Sequence, residues 1–161
     1  MNYQPIGWLR TPFKALDKMP FQPPGTGSAC GRIELRPDLA EGLRALDGFS
    51  RVIVIYHFHC QTDVRLSVTP FLDDCVHGLF ATRAPCRPNP IGLSVLRLCQ
   101  SNGLILEVEG VDMLDETPLL DIKPYVPLFD HPRGEIQTGW LESSAAQVVT
   151  VRSDSRFGSN D

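Results

Sequence analysis

Short apolar runs, separated by proline and glycine, recur along the chain and predict β-strands. Residues 6–10 and 31–35 are bounded by proline or glycine, as is typical of short strands. Residues 51–59 form a nearly continuous run of apolar and β-branched side chains, which indicates a central strand covered on both faces. Further brief strands are predicted at residues 79–81, 118–122 and 146–151.

The clearest hairpin joins two apolar stretches, residues 91–100 and 104–109. The loop between them, Ser101-Asn102-Gly103, carries an Asn-Gly pair that tolerates positive φ. One helix is predicted at residues 37–46, because a proline opens the segment and leucines follow at helical spacing. The leucines on its apolar face are Leu39, Leu43 and Leu46.

Length and composition narrow the fold class. The 161 residues and 17.9 kDa predict one globular domain, and many short strands with one helix favour a mainly-β barrel or sandwich. Residues 1–135 are predicted to form this domain. Residues 136–151 are predicted to be an irregular extension with a last strand, and residues 152–161 a flexible tail.

Charge and cysteine content limit the cellular compartment and the binding partners that we expect. Fifteen Lys and Arg against nineteen Asp and Glu give a net charge of -4, so any nucleic-acid contact is expected to be local. No apolar run approaches the ~18 residues of a membrane span. Five cysteines without a CxxC pair indicate free thiols, and we expect a cytoplasmic protein without a membrane segment.

A proline-rich loop at residues 80–92 is the first candidate for chemistry. Its three prolines restrict φ, so the guanidinium groups of Arg83 and Arg87 would be held in place before a ligand arrives. Such arginines suit a carboxylate or a phosphate. The alternative is a stiff turn whose arginines pair with nearby Asp and Glu.

The second candidate is the polar cluster at residues 112–125. Strand alternation would place Leu119, Asp121 and Lys123 on one face, where Asp121 and Lys123 can pair. The alternative is a surface salt bridge, which contributes roughly 0 to 1 kcal/mol.

Histidines and glycines offer two weaker motifs. His57 and His59 on one strand face, with His77, have the residue types of a metal site, although no HExxH or CxxC motif completes it and none is predicted. Residues 25–31 resemble a dinucleotide fingerprint only faintly, because the third glycine comes one residue late and a strand follows where a helix is required.

Taken together, the two clusters resemble the TsaA-like (YaeB-like) family over roughly residues 4–130. The resemblance implies an S-adenosylmethionine-dependent methyltransferase that acts on N6 of threonylcarbamoyladenosine beside the anticodon of tRNA. It also implies a single-sheeted β-barrel and a homodimer with the cofactor near the subunit interface. The motifs that carry it are Phe80-Ala-Thr-Arg83, Arg87-Pro-Asn-Pro-Ile-Gly92, Asp115-Glu-Thr-Pro118 and Asp121-Ile-Lys-Pro-Tyr125.

The resemblance implies site residues by position. Pro24, Cys60 and Glu116 depart from the glycine, glutamine and glycine that relatives often carry at these positions. The cofactor contacts it implies are Gln22, Pro23, Pro24, His59, Cys60, Arg83, Asp115, Glu116, Thr117 and Pro118. The substrate contacts are Arg87, Asn89, Lys123 and Tyr125.

Methyl transfer from a sulfonium needs mainly proximity and alignment, together with a base for the departing proton. Asp121 and His59 are the candidate bases, and a dry pocket lined by Phe80, Tyr56 or Phe58 would favour the cationic sulfonium. Two alternatives stay open. One is a nucleoside-binding module without methyl transfer, and the other is a metal-dependent hydrolase that uses the three histidines.

Overall fold

The computed structural model describes residues 2–16, 29–142 and 157. Its only α-helix in that part of the chain, α1, is the single turn Pro127–Asp130, and none of its helices is long and apolar enough to cross a membrane. The strands, numbered β1 to β8 in chain order, are Gly7–Arg10, Cys30–Leu35, Arg51–His57, Ser67–Val68, His77–Gly78, Ile91–Asn102, Ile105–Glu109 and Thr117–Pro124.

Six of these strands close into one antiparallel barrel in the order β1-β2-β7-β6-β3-β8. β8 closes the barrel because it pairs with β3 along one edge and with β1 along the other. The remaining two strands, β4 and β5, form a separate two-stranded ladder. The predicted mainly-β, single-sheeted barrel is therefore confirmed.

The barrel interior is filled by alternate residues of each strand. In β3, Val52, Val54 and Tyr56 are buried, whereas Ile53 and Ile55 on the outer face are half-buried. The prediction of a strand fully covered on both faces is wrong to that extent, because the outer face of a single-sheeted barrel has no second layer. The strand also ends at His57, so His59 lies in the turn beyond it.

The prediction that Leu119, Asp121 and Lys123 share one face is wrong, because β8 contains a bulge. The pairing with β3 passes from Ile55 opposite Asp121 to Tyr56 opposite Leu119, which leaves Leu120 as the extra residue. The alternation reverses there, so Leu119 is buried while Asp121 and Lys123 are directed outward. The predicted ion pair between Asp121 and Lys123 does form, on the partly exposed side of the strand.

The predicted helix at residues 37–46 is wrong in type. The chain forms two 3-10 helices, Pro37–Leu43 and Leu46–Gly48, separated by an extended Arg44 and a left-handed Ala45. A glycine in the segment and few buried contacts leave little to stabilise a regular α-helix. The leucine face is nevertheless correct, since Leu39, Leu43 and Leu46 are the half-buried positions.

Two further local predictions change. Residues 79–81 form a 3-10 helix instead of a strand, with Leu79 buried and Phe80 exposed. The predicted hairpin is present, but its first strand extends to Asn102, so fewer residues remain for the turn. The turn is formed by Gly103, with φ of 60°, and Leu104. The predicted strand at residues 146–151 and the tail at 152–161, apart from Phe157, lie outside the described residues.

The segment between β3 and β6, together with Phe157, builds a second, smaller core. Its buried members are Val68, Leu79, Ala84, Cys86 and Phe157. This small core supports the proline-rich loop against one end of the barrel, and a cavity lies between the loop and the barrel.

Candidate active site

The cavity between the barrel end and the loop layer has a volume of about 810 Å³. That size is in the range of small-molecule and cofactor sites, roughly 300 to 1,000 Å³. Four stretches of chain contribute most of its lining, and Leu16, residues 70–72, residues 140–141 and Phe157 contribute the rest. The four stretches are the end of β3 with the following turn, the proline-rich loop, the start of β6 and the segment between β7 and β8.

The proline-rich loop is anchored through its backbone. The carbonyl of Cys86 accepts a hydrogen bond of 3.1 Å from the amide of Arg65, and the carbonyl of Pro90 accepts one of 2.8 Å from Phe58. The Cys86 side chain is fully buried in the small core. These contacts hold the loop at its middle and near its C-terminal end, in agreement with the rigidity that its proline content predicts.

The loop holds Arg87 with its guanidinium at the cavity. Its Nη1 donates to the carbonyl of Thr82 at 3.1 Å and to that of Ala84 at 3.4 Å. The guanidinium carbon lies 5.6 Å from the centroid of the Phe80 ring, a cation–π contact. Within the described residues Arg87 has no carboxylate partner, so the alternative of a locally paired arginine does not apply to it.

Three buried polar side chains form a chain of hydrogen bonds at the cavity wall. The Tyr56 hydroxyl lies 3.2 Å from Ser94 Oγ, and Ser94 Oγ donates to Asp112 Oδ1 at 2.7 Å. Tyr56 and Asp112 line the cavity. The three residues come from β3, from β6 and from the segment after β7.

Burial changes the pKa values of the two ionisable groups in this hydrogen-bonded chain, Asp112 and Tyr56. It raises the pKa of Asp112 to about 6, while the Ser94 hydrogen bond and the positive charge of Arg83 favour the charged carboxylate and limit the rise. Burial and the nearby Asp112 charge also raise the pKa of Tyr56, so its phenol stays protonated. The cavity therefore contains a carboxyl group that titrates close to neutral pH.

His59 is the second titratable group of the cavity. Its Nδ1 lies 3.5 Å from Thr117 Oγ1, and that hydroxyl donates to the carbonyl of Leu114 at 2.7 Å. Partial burial, with the neighbouring His57, lowers the pKa of His59 despite the opposing charge of Glu116. The imidazole is therefore neutral near pH 7 and can accept a proton.

The residues predicted for the site are divided between the cavity and other surfaces. Those that line the cavity are His59, Cys60, Arg83, Arg87 and Thr117. Those outside its described lining are Asn89, Asp115, Glu116, Pro118, Asp121, Lys123 and Tyr125. Gln22, Pro23 and Pro24 lie outside the described residues.

Asp115 and Glu116 lie at a shallow charged cleft on another side of the barrel. Asp115 accepts a hydrogen bond of 2.9 Å from the amide of Thr11 and forms an ion pair with Lys14. Glu116 pairs with Arg10 at 2.7 Å. Its φ of 61° is left-handed, a conformation that glycine adopts without strain.

The histidine cluster considered from the sequence does not assemble. Among the described residues no group of three His, Cys, Asp or Glu side chains has the arrangement of a metal site. His77 instead pairs with Asp73 at 2.8 Å and stacks on Trp140, with ring centroids 4.7 Å apart. The metal-dependent hydrolase alternative thus has no centre in the described structure.

Sequence reasoning missed Ser94, Asp112 and Trp140. A signal for Ser94 was present, because it shares the phase of Leu96 and Leu98 and is a polar residue on a buried face. No pattern in the sequence pairs Ser94 with Asp112, since strand register brings the two together.

The structure is a closed β-barrel with a cavity of the size that holds a small molecule or cofactor. Comparisons with known proteins identify the family to which such a barrel belongs. Residues 8–131 match the family model described as the tRNA-methyltransferase O N-terminal domain. The chain therefore belongs to this family, and the TsaA-like resemblance is confirmed.

Individual relatives agree with this placement. The chain is 47% identical over 155 residues to a Pyrococcus abyssi protein named "Probable S-adenosyl-L-methionine-binding protein", covering 96% of this chain and 84% of that protein. It is 33% identical to the Escherichia coli tRNA (adenine(37)-N6)-methyltransferase, covering 93% of this chain and 68% of the other.

A solved structure matches the fold as well. The crystal structure of TrmO from Pseudomonas aeruginosa superimposes with a TM-score of 0.72 at 37% identity, covering 87% of this chain. The match covers 62% of the TrmO chain, so this chain spans less than two thirds of that protein.

Proposed function

We propose that this protein is an S-adenosylmethionine-dependent methyltransferase that modifies N6 of threonylcarbamoyladenosine in the anticodon loop of tRNA. Family membership supports the proposal, as does the 33% identity to a protein named tRNA (adenine(37)-N6)-methyltransferase. The observation that carries it is the cavity of about 810 Å³, in which aromatic rings, an oriented guanidinium and a buried carboxyl group face one space.

The cavity residues fit S-adenosylmethionine. Tyr56 and Phe58 pack edge to face with centroids 5.4 Å apart, and both rings line the cavity. Aromatic rings favour a sulfonium cation over the neutral thioether product. We propose that His59, Cys60 and Arg83 contact the cofactor, which supplies an activated methyl group.

The remaining proposed cofactor contacts, apart from Thr117, lie away from the cavity or outside the described residues. They are Gln22, Pro23, Pro24, Asp115, Glu116, Thr117 and Pro118, of which Thr117 is the cavity residue. We also propose a homodimer with the cofactor near the subunit interface. Its support is the apolar rim of the cavity, where Phe80 is 76% exposed, Leu93 51% and Ile91 40%.

The tRNA contact is proposed to be local, because the net charge is -4. Arg87 is the best-placed cation for the threonyl carboxylate or an anticodon-loop phosphate, since its guanidinium is already oriented at the cavity. Asn89, Lys123 and Tyr125 remain proposed substrate contacts. A tRNA substrate would place the protein in the cytoplasm.

Methyl transfer requires the protein mainly to align the methyl donor with N6 and to remove the N6 proton. When bound, the cofactor would supply the methyl group, the aromatic wall would limit access of water, and the anchored loop would help to orient the acceptor nucleotide. His59 and Asp121 are the proposed proton acceptors from the sequence. Of these, His59 lies in the cavity with a neutral imidazole, whereas Asp121 pairs with Lys123 outside its lining.

Transfer of a labelled methyl group from S-adenosylmethionine to tRNA tests the proposal. The expected result is incorporation into tRNA that carries threonylcarbamoyladenosine and none into the same tRNA without that modification. The alternative of a binding module predicts cofactor binding with no label in either tRNA, and that result would refute the enzymatic function.

A further inference from the structure

Asp112 is the buried ionisable group that the family motifs do not assign to the reaction. Asp112 is only 8% exposed, yet it lines the cavity together with the aromatic residues Tyr56 and Phe58. Burying a carboxylate costs free energy that hydrogen bonds only partly offset, and groups with such shifted pKa values are concentrated at functional sites. Its placement therefore calls for a role in the cavity.

The groups that face Asp112 come from three elements. Ser94 of β6 donates the hydrogen bond of 2.7 Å, and Tyr56 of β3 lies behind Ser94 at 3.2 Å. Arg83 of the proline-rich loop supplies a positive charge nearby. Ser94 orients one carboxylate oxygen, and the backbone amide of Asp112 also donates to the carboxylate.

We propose that Asp112 is the catalytic residue that accepts the N6 proton during methyl transfer, and that Ser94 and Tyr56 are the positioning residues that hold its carboxylate. The inference rests on the proposed methyltransferase function. A bond forms between N6 and the methyl carbon while the bond from that carbon to sulfur breaks. The sulfonium becomes a neutral thioether, and the N6 proton moves to the Asp112 carboxylate.

Asp112 fits this role better than the two candidates taken from the sequence. Its carboxyl group titrates near neutral pH, where a general base is most effective. Asp121 lies on the outer face of β8, bound to Lys123. His59 lies in the same cavity, so a test has to separate its titration from that of Asp112.

The pH dependence of single-turnover methyl transfer provides that test in the full chain with tRNA that carries threonylcarbamoyladenosine. The wild-type rate is expected to rise with pH through about 6 and then level off. Asp112→Asn keeps the size and the acceptor for Ser94, and we expect it to lower the rate by about 100-fold or more and to remove the acid limb. His59→Gln is expected to keep that limb.

Variants of the two positioning residues test whether they act on the Asp112 carboxylate. The readout is the pH at which the acid limb lies, which would not change if the two residues only stabilised the fold. Ser94→Ala removes the hydrogen bond that favours the carboxylate, so the acid limb is expected to move to higher pH. Tyr56→Phe keeps the ring and removes the hydroxyl next to Ser94, and we expect a smaller shift in the same direction. Unshifted limbs in both variants would overturn the positioning roles.

The outcomes separate the inference from the function on which it rests. Cofactor binding and thermal unfolding of each variant are measured alongside, so that a folding defect is recognised. Methyl transfer by the wild type with an unchanged rate and acid limb in Asp112→Asn would overturn the inference alone. A wild type that transfers no methyl group would overturn both.

Discussion

Gly92 lies directly opposite Tyr56 in the ladder between β3 and β6, and a Cβ on Gly92 would approach the tyrosine ring to 2.3 Å. Glycine at this position therefore allows the ring to lie flat against the strand and the hydroxyl to reach Ser94. The same absent side chain leaves space in the cavity, which both residues line.

Gly92→Ala is expected to displace the Tyr56 ring, because the obstructing atoms are buried ring atoms rather than a flexible end. We expect a loss of about 1 to 3 kcal/mol in the free energy of unfolding. Weaker cofactor binding should accompany it. Gly78→Ala is the matched control, since nothing lies within 4 Å of a Cβ there, and equal effects of the two substitutions would contradict this assignment.

Asp112 should make stability depend on pH. The pKa of its carboxyl group is about 6 in the folded protein and 3.8 is its ordinary value, so the folded state binds the proton more tightly. Ionisation of Asp112 therefore lowers stability as the pH rises from about 4 to above 6, by on the order of 3 kcal/mol.

Asp112→Asn cannot ionise, so its stability relative to the wild type is expected to grow over the same pH range. Thermal unfolding at pH 4.5 and pH 8 measures the difference. A constant gap between the two proteins would show that Asp112 ionises as freely in the fold as in water.

Arg87 is expected to contribute to tRNA binding through one fixed positive charge. Arg87→Ala should weaken tRNA binding roughly tenfold and lower the slope of log affinity against log salt by about 1. Arg87→Lys should restore the slope but only part of the affinity, because lysine lacks the planar fork that contacts two carbonyls and the Phe80 ring.

Arg44→Ala is the control for this measurement, because Arg44 is exposed and pairs only with Glu41 among the described residues. Salt titrations of tRNA affinity compare the three variants. If Arg87→Ala gave the affinity and salt slope of Arg44→Ala, Arg87 would have no part in tRNA binding.

Asp121→Asn tests the base proposed from the sequence. The asparagine keeps the oxygen that accepts from the Ile122 amide, so the β8 bulge should persist. If Asp121 is the base, turnover falls more than cofactor affinity, whereas the assignment of Asp112 as the base predicts that Asp121→Asn retains the acid limb of the pH profile. Turnover equal to that of the wild type would remove Asp121 from the reaction.

The sequence predicts the barrel well because alternation and turn residues are local signals. The apolar content of residues 51–59 predicts a strand, and the Asn-Gly pair predicts the hairpin after residue 91. The 3-10 character of residues 37–48 was not predictable, since leucines at helical spacing give no information on whether the backbone hydrogen bonds will be regular.

The site is predictable where it depends on loop composition and unpredictable where it depends on register. Proline content predicted an anchored loop, and Arg87 is indeed held at the cavity. The outward direction of Asp121 follows from a bulge at Leu120 that no residue type signals. The contact between Ser94 and Asp112 joins residues 18 positions apart in chain order, across strand pairing that only the folded barrel reveals.

A crystal structure with bound S-adenosylmethionine tests the central claim most directly. We predict that the sulfonium lies against the rings of Tyr56 and Phe58, with the methyl group directed toward the part of the cavity wall that Asp112 forms. A cofactor bound elsewhere, for instance in the charged cleft beside Asp115 and Glu116, would contradict the account.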